Sequence, residues 1–340
     1  GCGPRCAALG RARRRRSRLQ KGRLPRGHVG ALPEQGAPFA LGEPTPYAEL
    51  DAIVEGIGQA LQAHRAGTTD EIGLALRWAG EHGLPVTIFG GGSNQLVSDR
   101  GIRGLVVLVR RPGKDAEAGL EVLEEDDKSV LVRVPASAPS SWFGRTAAER
   151  GWAGLAWLVG LPGNVGGAVV NNAGAHGGEI SDFLVSVRVV GEDGVLVEHD
   201  RDWLQPRYRG TRLKYPAHRE TIVVVDATFR FAKRSAVELL AEADEYAEYR
   251  HRTQPTGACA GSIFKNPDGD YSGRLIEQAG LKGARVGGAT VSTMHANFIV
   301  NDEKGTAADI IELIRLVQDE VERQTGIRLE PEVERTGDWS

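Results

Sequence analysis

The spacing of apolar residues predicts a chain of mixed helices and strands from about residue 46 onward. Tyr47–His64 reads as an amphipathic helix. Thr69 is expected to cap a second helix, which runs through Trp78 and His82 and stops at Gly83. A hydroxyl at the start answers free N–H groups, and a glycine at the end turns the chain left-handed. Pro85–Phe89 reads as a short buried strand and Leu105–Val109 as a second, β-branched one. Leu120–Glu124 and Val130–Val134 predict a hairpin about the acidic turn Asp126-Asp127-Lys128. Ser140 or Ser141 opens a helix that ends near Gly151. Val185–Val190 and Val195–Val197 predict another hairpin, turned by Glu192-Asp193-Gly194, and Ile222–Phe231 a long strand.

Two further helices have clear faces. In Ser235–Arg252 the residues Leu239, Leu240, Ala243, Tyr246 and Ala247 share one side and acids cover the other. Thr306 caps the last helix, with Asp309 three residues in; Ile310, Ile314, Val317 and Val321 form its apolar stripe and Gly326 closes it. Strands and helices interleave without the regular alternation of a doubly wound sheet, so the expected class is α+β. A boundary is expected near Lys233, dividing 46–233 from 234–340. Residues 1–45 stand apart, with arginines at 11, 13, 14, 15 and 16 and no apolar period. An export signal would need an apolar stretch after the basic one, and none follows; the stretch reads as a disordered leader rather than a nucleic-acid arm.

Composition narrows the class. The 340 residues are enough for two or three domains, and 26% charged with 41% hydrophobic residues is ordinary for a globular protein. A net charge of −3 gives no pull toward nucleic acid or membrane. No apolar run approaches the roughly 18 residues of a membrane span. Cys2, Cys6 and Cys259 are too few and too scattered for a disulfide framework, which fits a reducing cytoplasm. No Cys/His cluster has ligand spacing, so no metal site is expected.

The chemistry lies in glycine-rich loops. Gly90-Gly91-Gly92-Ser93-Asn94 follows a strand, where glycines let backbone approach a ligand and turn N–H groups toward an anion. A tight turn is the alternative, since no GxGxxG fingerprint is present. A second run, from Gly160 through Pro162, Gly163, Gly166, Gly167 and Ala168, leads into Asn172, Gly174, Ala175, His176, Gly177 and Glu179. Ordering so many glycines costs chain entropy, and two such loops suit a long ligand with a pyrophosphate and a planar ring: a dinucleotide. His176 fits a wall or hydrogen-bonding role better than that of a base. Gly261-Ser262-Ile263-Phe264-Lys265-Asn266-Pro267 sets a hydroxyl beside a cation and an amide but lacks the nucleophile-elbow pattern of a hydrolase.

Taken in order, GGGSN (90–94), GLPGNVGGAVVNNAGAHGGE (160–179), YRGT (208–211), GSIFKNP (261–267), LIEQAGLKG (275–283), HANFIVN (295–301) and EPEV (330–333) resemble the enolpyruvoylglucosamine reductase family over residues 69–337. The resemblance implies an FAD-binding domain of the vanillyl-alcohol-oxidase type, built from two α+β subdomains, then a C-terminal substrate domain. It implies FAD as bound cofactor, NADPH as hydride donor, and a UDP-N-acetylglucosamine enolpyruvyl ether as the small-molecule substrate; a monomer is expected. By family match the glycine-loop residues named above, with Ser93 and Asn94, hold the flavin. Tyr208, Lys265 and Asn266 meet substrate. Arg209 and Glu332 stabilise charge developing at the carboxylate, and Ser262 donates a proton. Glu332 must be protonated or act through a hydrogen bond, because a bare carboxylate would oppose that charge.

Two departures stand out. The family opens its flavin domain with a Thr-Thr-(aromatic)-Arg-Ile-Gly-Gly-Pro-Ala-like segment, which residues 38–67 do not contain. Phe231-Ala232-Lys233-Arg234 runs straight into a helix, without the tyrosine-bearing loop of the longer subtype. Two other readings remain: a different flavin oxidoreductase on the same fold, and a UDP-sugar-binding protein without flavin.

Overall fold

Three short parallel strands begin the described part of the chain: β1 (Gln62–Ala66), β2 (Val86–Phe89) and β4 (Leu105–Val109), in the order β1-β4-β2. The computed structural model describes residues 62–66, 69–109, 119–214, 221–301 and 304–340. The expected leader 1–45 lies outside these residues, as does most of the expected helix Tyr47–His64. Its last residues correct the reading: Gln62–Ala66 is strand, in parallel register with Leu105–Val109. The stretch QAHRA has no β-branched residue, so local preference favours helix, and pairing with β4 overrides it. Helix α1 (Thr69–Glu81) buries Ile72, Leu76, Trp78 and Ala79, and Gly83 ends the turn after it at φ 62°. Strand β2 is half-buried throughout rather than buried.

A five-stranded antiparallel sheet forms the centre, in the order β10-β9-β11-β6-β5. Its strands are β5 (Glu121–Glu125), β6 (Ser129–Pro135), β9 (Leu184–Val190), β10 (Leu196–Asp200) and β11 (Val223–Ala232). Both expected hairpins are present, with ends shifted by a few residues. Val130, Val132 and Val134 alternate into the core, as a half-buried strand requires. They pack under α2 (Ser140–Glu149), whose Phe143 lies 5.2 Å from Phe229 of β11. A row of charges crosses the other face from edge to edge. Arg133 is 3.3 Å from Glu121 and 3.7 Å from Asp226. Arg188 grips Asp226 with bonds of 2.8 and 2.5 Å, and Glu198 lies opposite Arg188 in register.

Helix α3 (Val165–Val170) and the two-stranded ribbon of β7 (Gly174–Ala175) and β8 (Gly178–Glu179) lie between β6 and β9 in sequence. The boundary expected near Lys233 precedes helix α4 (Ala236–Thr253), whose Leu239 and Ala243 pack on Ala148 and Ala156 of the first block.

A second core follows. It joins helix α5 (Ser272–Gln278), the sheet β12 (Arg285–Val286), β13 (Ala289–Val291) and β14 (Ile299–Asn301), and helix α6 (Ala307–Thr325). Thr306 and Asp309 form the reciprocal capping box, and Gly326 closes α6 at φ 75°. Ile314, Val317 and Val321 are buried as expected, joined by Ile311 and Leu313; Ile310 is only partly buried. This core also takes in Leu96 of β3 (Gln95–Val97), which pairs in parallel with β15 (Glu334–Thr336). The end of the chain is thereby tied to the loop after β2. The α+β class is as expected.

Candidate active site

The loop after β2 and the loop before α3 meet backbone to backbone. A side chain on Gly91 would stand 2.7 Å from the Gly163 Cα, and one on Gly163, at φ 99°, would stand 2.6 Å from Ser93 Oγ. Ser93 Oγ also donates to the Pro162 carbonyl at 3.3 Å. Only glycine allows this contact, so Gly91 and Gly163 serve loop-on-loop packing. Gly90 lies on Asn164, Gly92 turns at φ 68°, and Gly166 abuts Ala136. Gly160 underlies the Arg250 side chain. Ala168 is buried. Gly167 differs: beyond its own helix and chain neighbours, no protein atom lies within 4 Å of where its side chain would be. Glycine inside a helix costs roughly 1 kcal/mol relative to alanine, and packing does not explain it here. A ligand approaching that face would.

The ribbon β7–β8 turns at His176 (φ 53°) and Gly177 (φ 85°). Asn172, expected at the cofactor, is buried, and its amide is committed to the protein. Its Nδ2 donates to Glu179 Oε2 at 2.7 Å and to the Arg207 carbonyl at 3.1 Å, while its Oδ1 accepts from Ser181 N. Asn172 therefore holds the ribbon against the Arg207 turn, and Glu179 is its partner. Ala175, beside the turn, is half-buried. His176 lies 4.4 Å from the Tyr246 ring and 5.3 Å from Tyr249. Burial, then the charge of Arg250, pushes its pKa down. The exposed His176 ring rests against these two tyrosines of α4, and its lowered pKa makes it a weaker base.

Arg209 stands in a tight turn closed by mutual backbone bonds between Arg207 and Gly210, with φ 58°. Left-handed backbone is unusual for arginine and aims the side chain out of the turn. Its guanidinium lies 4.9 Å from the Tyr208 ring centroid, and Nη1 would be 3.2 Å from a side chain on Gly174. Arg209 Nε is 3.0 Å from Glu332 Oε1, yet its N–H finds no hydrogen-bond partner. The contact is thus one of charge, not of an aligned bond. Glu332 keeps a raised pKa because burial outweighs the nearby Arg209, Lys214 and Lys265. Asn94 Nδ2 holds the Glu332 carbonyl at 3.1 Å, which links the first glycine loop to this carboxyl.

Ser262 is brought to the same place. The Glu332 N–H donates to the Ile263 carbonyl at 2.7 Å, and Lys265 N–H donates to the Glu330 carbonyl at 2.9 Å. Lys265 Nζ pairs with Glu330 Oε1, and the Tyr208 hydroxyl accepts from Asn266 N–H at 3.3 Å. So Tyr208, Arg209, Ser262, Lys265, Asn266 and Glu332 converge from three separate segments. Sequence reasoning missed Asn297. Its side chain is buried; Oδ1 accepts from Phe264 N–H at 2.9 Å and Nδ2 donates to the Phe264 carbonyl at 2.8 Å. It acts as a piece of strand that fixes the backbone two residues from Ser262. An asparagine between apolar residues at 296 and 298 was the available signal. Lys214, 3.2 Å from Glu334 and 2.7 Å from Asn171, was likewise missed.

The glycine loops could hold a nucleotide cofactor. Among the described residues there is no cluster of metal-binding side chains, and no helix is long and apolar enough to cross a membrane. Comparison with known proteins is consistent along the chain. Residues 61–200 match the FAD binding domain family, and residues 253–336 match the UDP-N-acetylenolpyruvoylglucosamine reductase C-terminal domain. The UDP-N-acetylenolpyruvoylglucosamine reductase of Gloeobacter violaceus is 42% identical over 280 residues, 82% of this chain and 89% of the relative. That of Parasynechococcus marenigrum is 44% identical over 275 residues, 79% and 87% of the two. The crystal structure of the Thermus caldophilus UDP-N-acetylenolpyruvylglucosamine reductase superposes with a TM-score of 0.67 at 33% identity, covering 83% of this chain and 94% of that one.

Proposed function

The chain belongs to the UDP-N-acetylenolpyruvoylglucosamine reductase family, and from that premise we propose that it reduces UDP-N-acetylglucosamine enolpyruvate to UDP-N-acetylmuramate, a precursor of peptidoglycan, with FAD as cofactor and NADPH as reductant. The observation that carries this reading is the convergence of Arg209 and Glu332 at 3.0 Å beside the segment bearing Ser262, next to glycine loops tied to them through Asn94. The residues present fit a flavin nucleotide: Gly167 leaves space that protein does not fill, and Ser93 and Asn94 line the loop that meets Gly163. Bound FAD would supply hydride to the terminal carbon of the enolpyruvyl group.

The side chains do the rest. Arg209 offers a permanent cation to the substrate carboxylate, where negative charge grows. Glu332, whose pKa burial raises, donates in its protonated form to the same developing charge instead of opposing it. A positioned donor of this kind is worth roughly 3–4 kcal/mol of barrier. Ser262 hands its hydroxyl proton to the carbon next to the carboxylate. The backbone of its neighbours Ile263 and Phe264 is held by Asn297 and by the Glu332 N–H, which fixes where the serine stands. Tyr208, Lys265 and Asn266, grouped beside Arg209, bind substrate. Loop residues Gly90–Asn94 and Gly160–Ala168 hold the flavin, with Gly174–Glu179 beside it; the domains divide at about 233. The enzyme works as a cytoplasmic monomer without nucleic acid.

Separated half-reactions test the assignment. In Ser262→Ala, reduction of bound flavin by NADPH should continue at the wild-type rate while reduction of the enolpyruvyl group falls at least about a hundredfold. Equal loss in both halves would remove Ser262 from the proton-donor role. Oxidation of a sugar by oxygen, without turnover of the enolpyruvyl ether, would favour a different flavin oxidoreductase.

A further inference from the structure

Lys214 is a largely buried cation that the proposed chemistry does not use. It follows the Arg209 turn, and its N–H donates to the Thr211 carbonyl at 3.1 Å. Its Nζ donates to Asn171 Oδ1 at 2.7 Å and lies 3.2 Å from Glu334 Oε1. An ammonium taken out of water needs partners held in place, and both of these are. Asn171 closes α3; its Nδ2 donates to the Gly167 carbonyl at 3.1 Å, which leaves Oδ1 for the lysine. Glu334, in β15, accepts from Gln95 Nε2 at 2.8 Å through its other oxygen, and its N–H donates to the Asn94 carbonyl at 3.0 Å. Glu334 Oε1 is buried and accepts no hydrogen bond, so the nearby charge of Lys214 is what compensates it.

Three segments thus meet at one ammonium. The first carries Tyr208 and Arg209, and its Thr211 hydroxyl donates to the Val170 carbonyl at 2.8 Å. The second is the end of α3, the helix that holds Gly167. The third is β15, which begins two residues after Glu332. Arg209 and Glu332 face each other at 3.0 Å without an aligned hydrogen bond, so their own contact does not fix their separation. Lys214 ties the chain just beyond each of them.

We propose that Lys214 is a positioning residue for the enolpyruvyl reduction: it clamps the strand after Glu332 to the turn after Arg209, and so sets both the separation of those two groups and the charge that the Glu332 carboxyl feels. This rests on the reading of Glu332 as a protonated donor. An ammonium is a compact point charge with three donors, suited to an amide oxygen and a carboxylate at once. The charges that bear on Glu332 come from Arg209 and Lys214 on one segment and from Lys265 on the segment after Ser262. Lys214 weighs more than Lys265, which is itself paired with Glu330. Each of these cations favours ionised Glu332, while the carboxylate of Glu334 opposes it. Loss of Lys214 therefore leaves the proton on Glu332 to higher pH, and loss of the Glu334 charge has the reverse effect.

The test is the enolpyruvyl half-reaction of flavin-loaded protein, measured as a function of pH for wild type, Lys214→Met and Lys214→Arg, with a melting temperature for each. In wild type the rate should fall as Glu332 loses its proton. In Lys214→Met the rate on the acid side of that fall should drop about tenfold or more, with KM changed less than about threefold, and the fall itself should move to higher pH. Lys214→Arg keeps the charge, so its fall should stay at the wild-type pH. A folded Lys214→Met with an unchanged rate overturns the proposal. So does a lowered rate whose fall stays at the wild-type pH, because Lys214 would then be a structural tie alone, and so does a fall displaced equally in Lys214→Arg. These outcomes leave the Glu332 reading standing, whereas a wild-type rate that never falls as pH rises overturns both. If Lys214→Met does not fold, Glu334→Gln decides: it breaks the clamp from the other side, so the rate should drop and the fall should move to lower pH. Either measure unchanged in that variant overturns the proposal.

Discussion

Glu332 shows how one residue's chemistry is set by burial. Arg209, Lys214 and Lys265 all favour its charged form, yet desolvation outweighs them and its pKa is raised above the ordinary 4.5. An acid with a raised folded pKa binds its proton more tightly folded than unfolded. Its contribution to stability is therefore complete below the ordinary glutamate range and is lost as pH rises through the folded pKa. The melting temperature of flavin-free protein should fall over that interval, and Glu332→Gln should flatten the fall. The enolpyruvyl half-reaction should slow over the same interval in wild type, since only the protonated form donates. A rate that rises there would exclude a protonated Glu332. Asn297 poses a different question at the same scale. Asn297→Ala leaves the Phe264 N–H and carbonyl unpaired in a buried place, which costs about 2–3 kcal/mol. The enolpyruvyl half-reaction should drop at least about tenfold through misplacement of Ser262, with little change in KM. Stopped-flow rates together with urea unfolding would separate the two effects; a rate equal to wild type in the folded variant would deny Asn297 a positioning role.

Among the elements, the central sheet is held in register by more than its valines. The row Glu121, Arg133, Asp226, Arg188, Glu198 alternates in sign across five strands. A slip of one residue would send every member to the apolar face. Asp226, the centre of the row, is buried and neighbours two guanidiniums. Asp226→Asn would leave them facing one another, so urea unfolding should show a loss of roughly 2–3 kcal/mol. Glu121→Gln, at the exposed edge, should change stability by less than about 0.5 kcal/mol. Equal effects at both positions would mean that the row contributes only as separate surface pairs.

At the scale of the whole molecule, the site exists because the chain returns to its own beginning. Strand β15 lies on β3, Asn94 holds the Glu332 carbonyl, and Arg103 pairs with Asp338 at 2.6 Å. Without this return, Glu332 would not stand beside Arg209. Deleting residues 334–340 should lower the melting temperature and reduce the enolpyruvyl half-reaction at least about tenfold, because a misplaced donor no longer meets the developing charge. Full activity in the truncated protein would show that the second core alone holds Glu332 in place.

Much was legible in the residues themselves. Amphipathic periods marked α1, α2, α4 and α6, and the Thr306–Asp309 box with Gly326 bounded the last of them closely, because capping is a local interaction. Alternating valines and acidic turns marked both hairpins for the same reason. The glycine loops and the GSIFKNP and EPEV segments carried the family resemblance, which a run of particular residue types can show without any tertiary contact. What depended on distant contacts was hidden. The strand Gln62–Ala66 reads locally as helix until Leu105–Val109 pairs with it. Asn172 reads as a ligand group until its amide is seen committed to Glu179, Arg207 and Ser181. Lys214 carries no local pattern at all, and Asn297 only its apolar neighbours at 296 and 298; each is defined by a partner far away in sequence. Local sequence determined which elements form and which chemistry is available. Only tertiary structure decided which groups lose water together, and so which carboxyl holds its proton more tightly than usual.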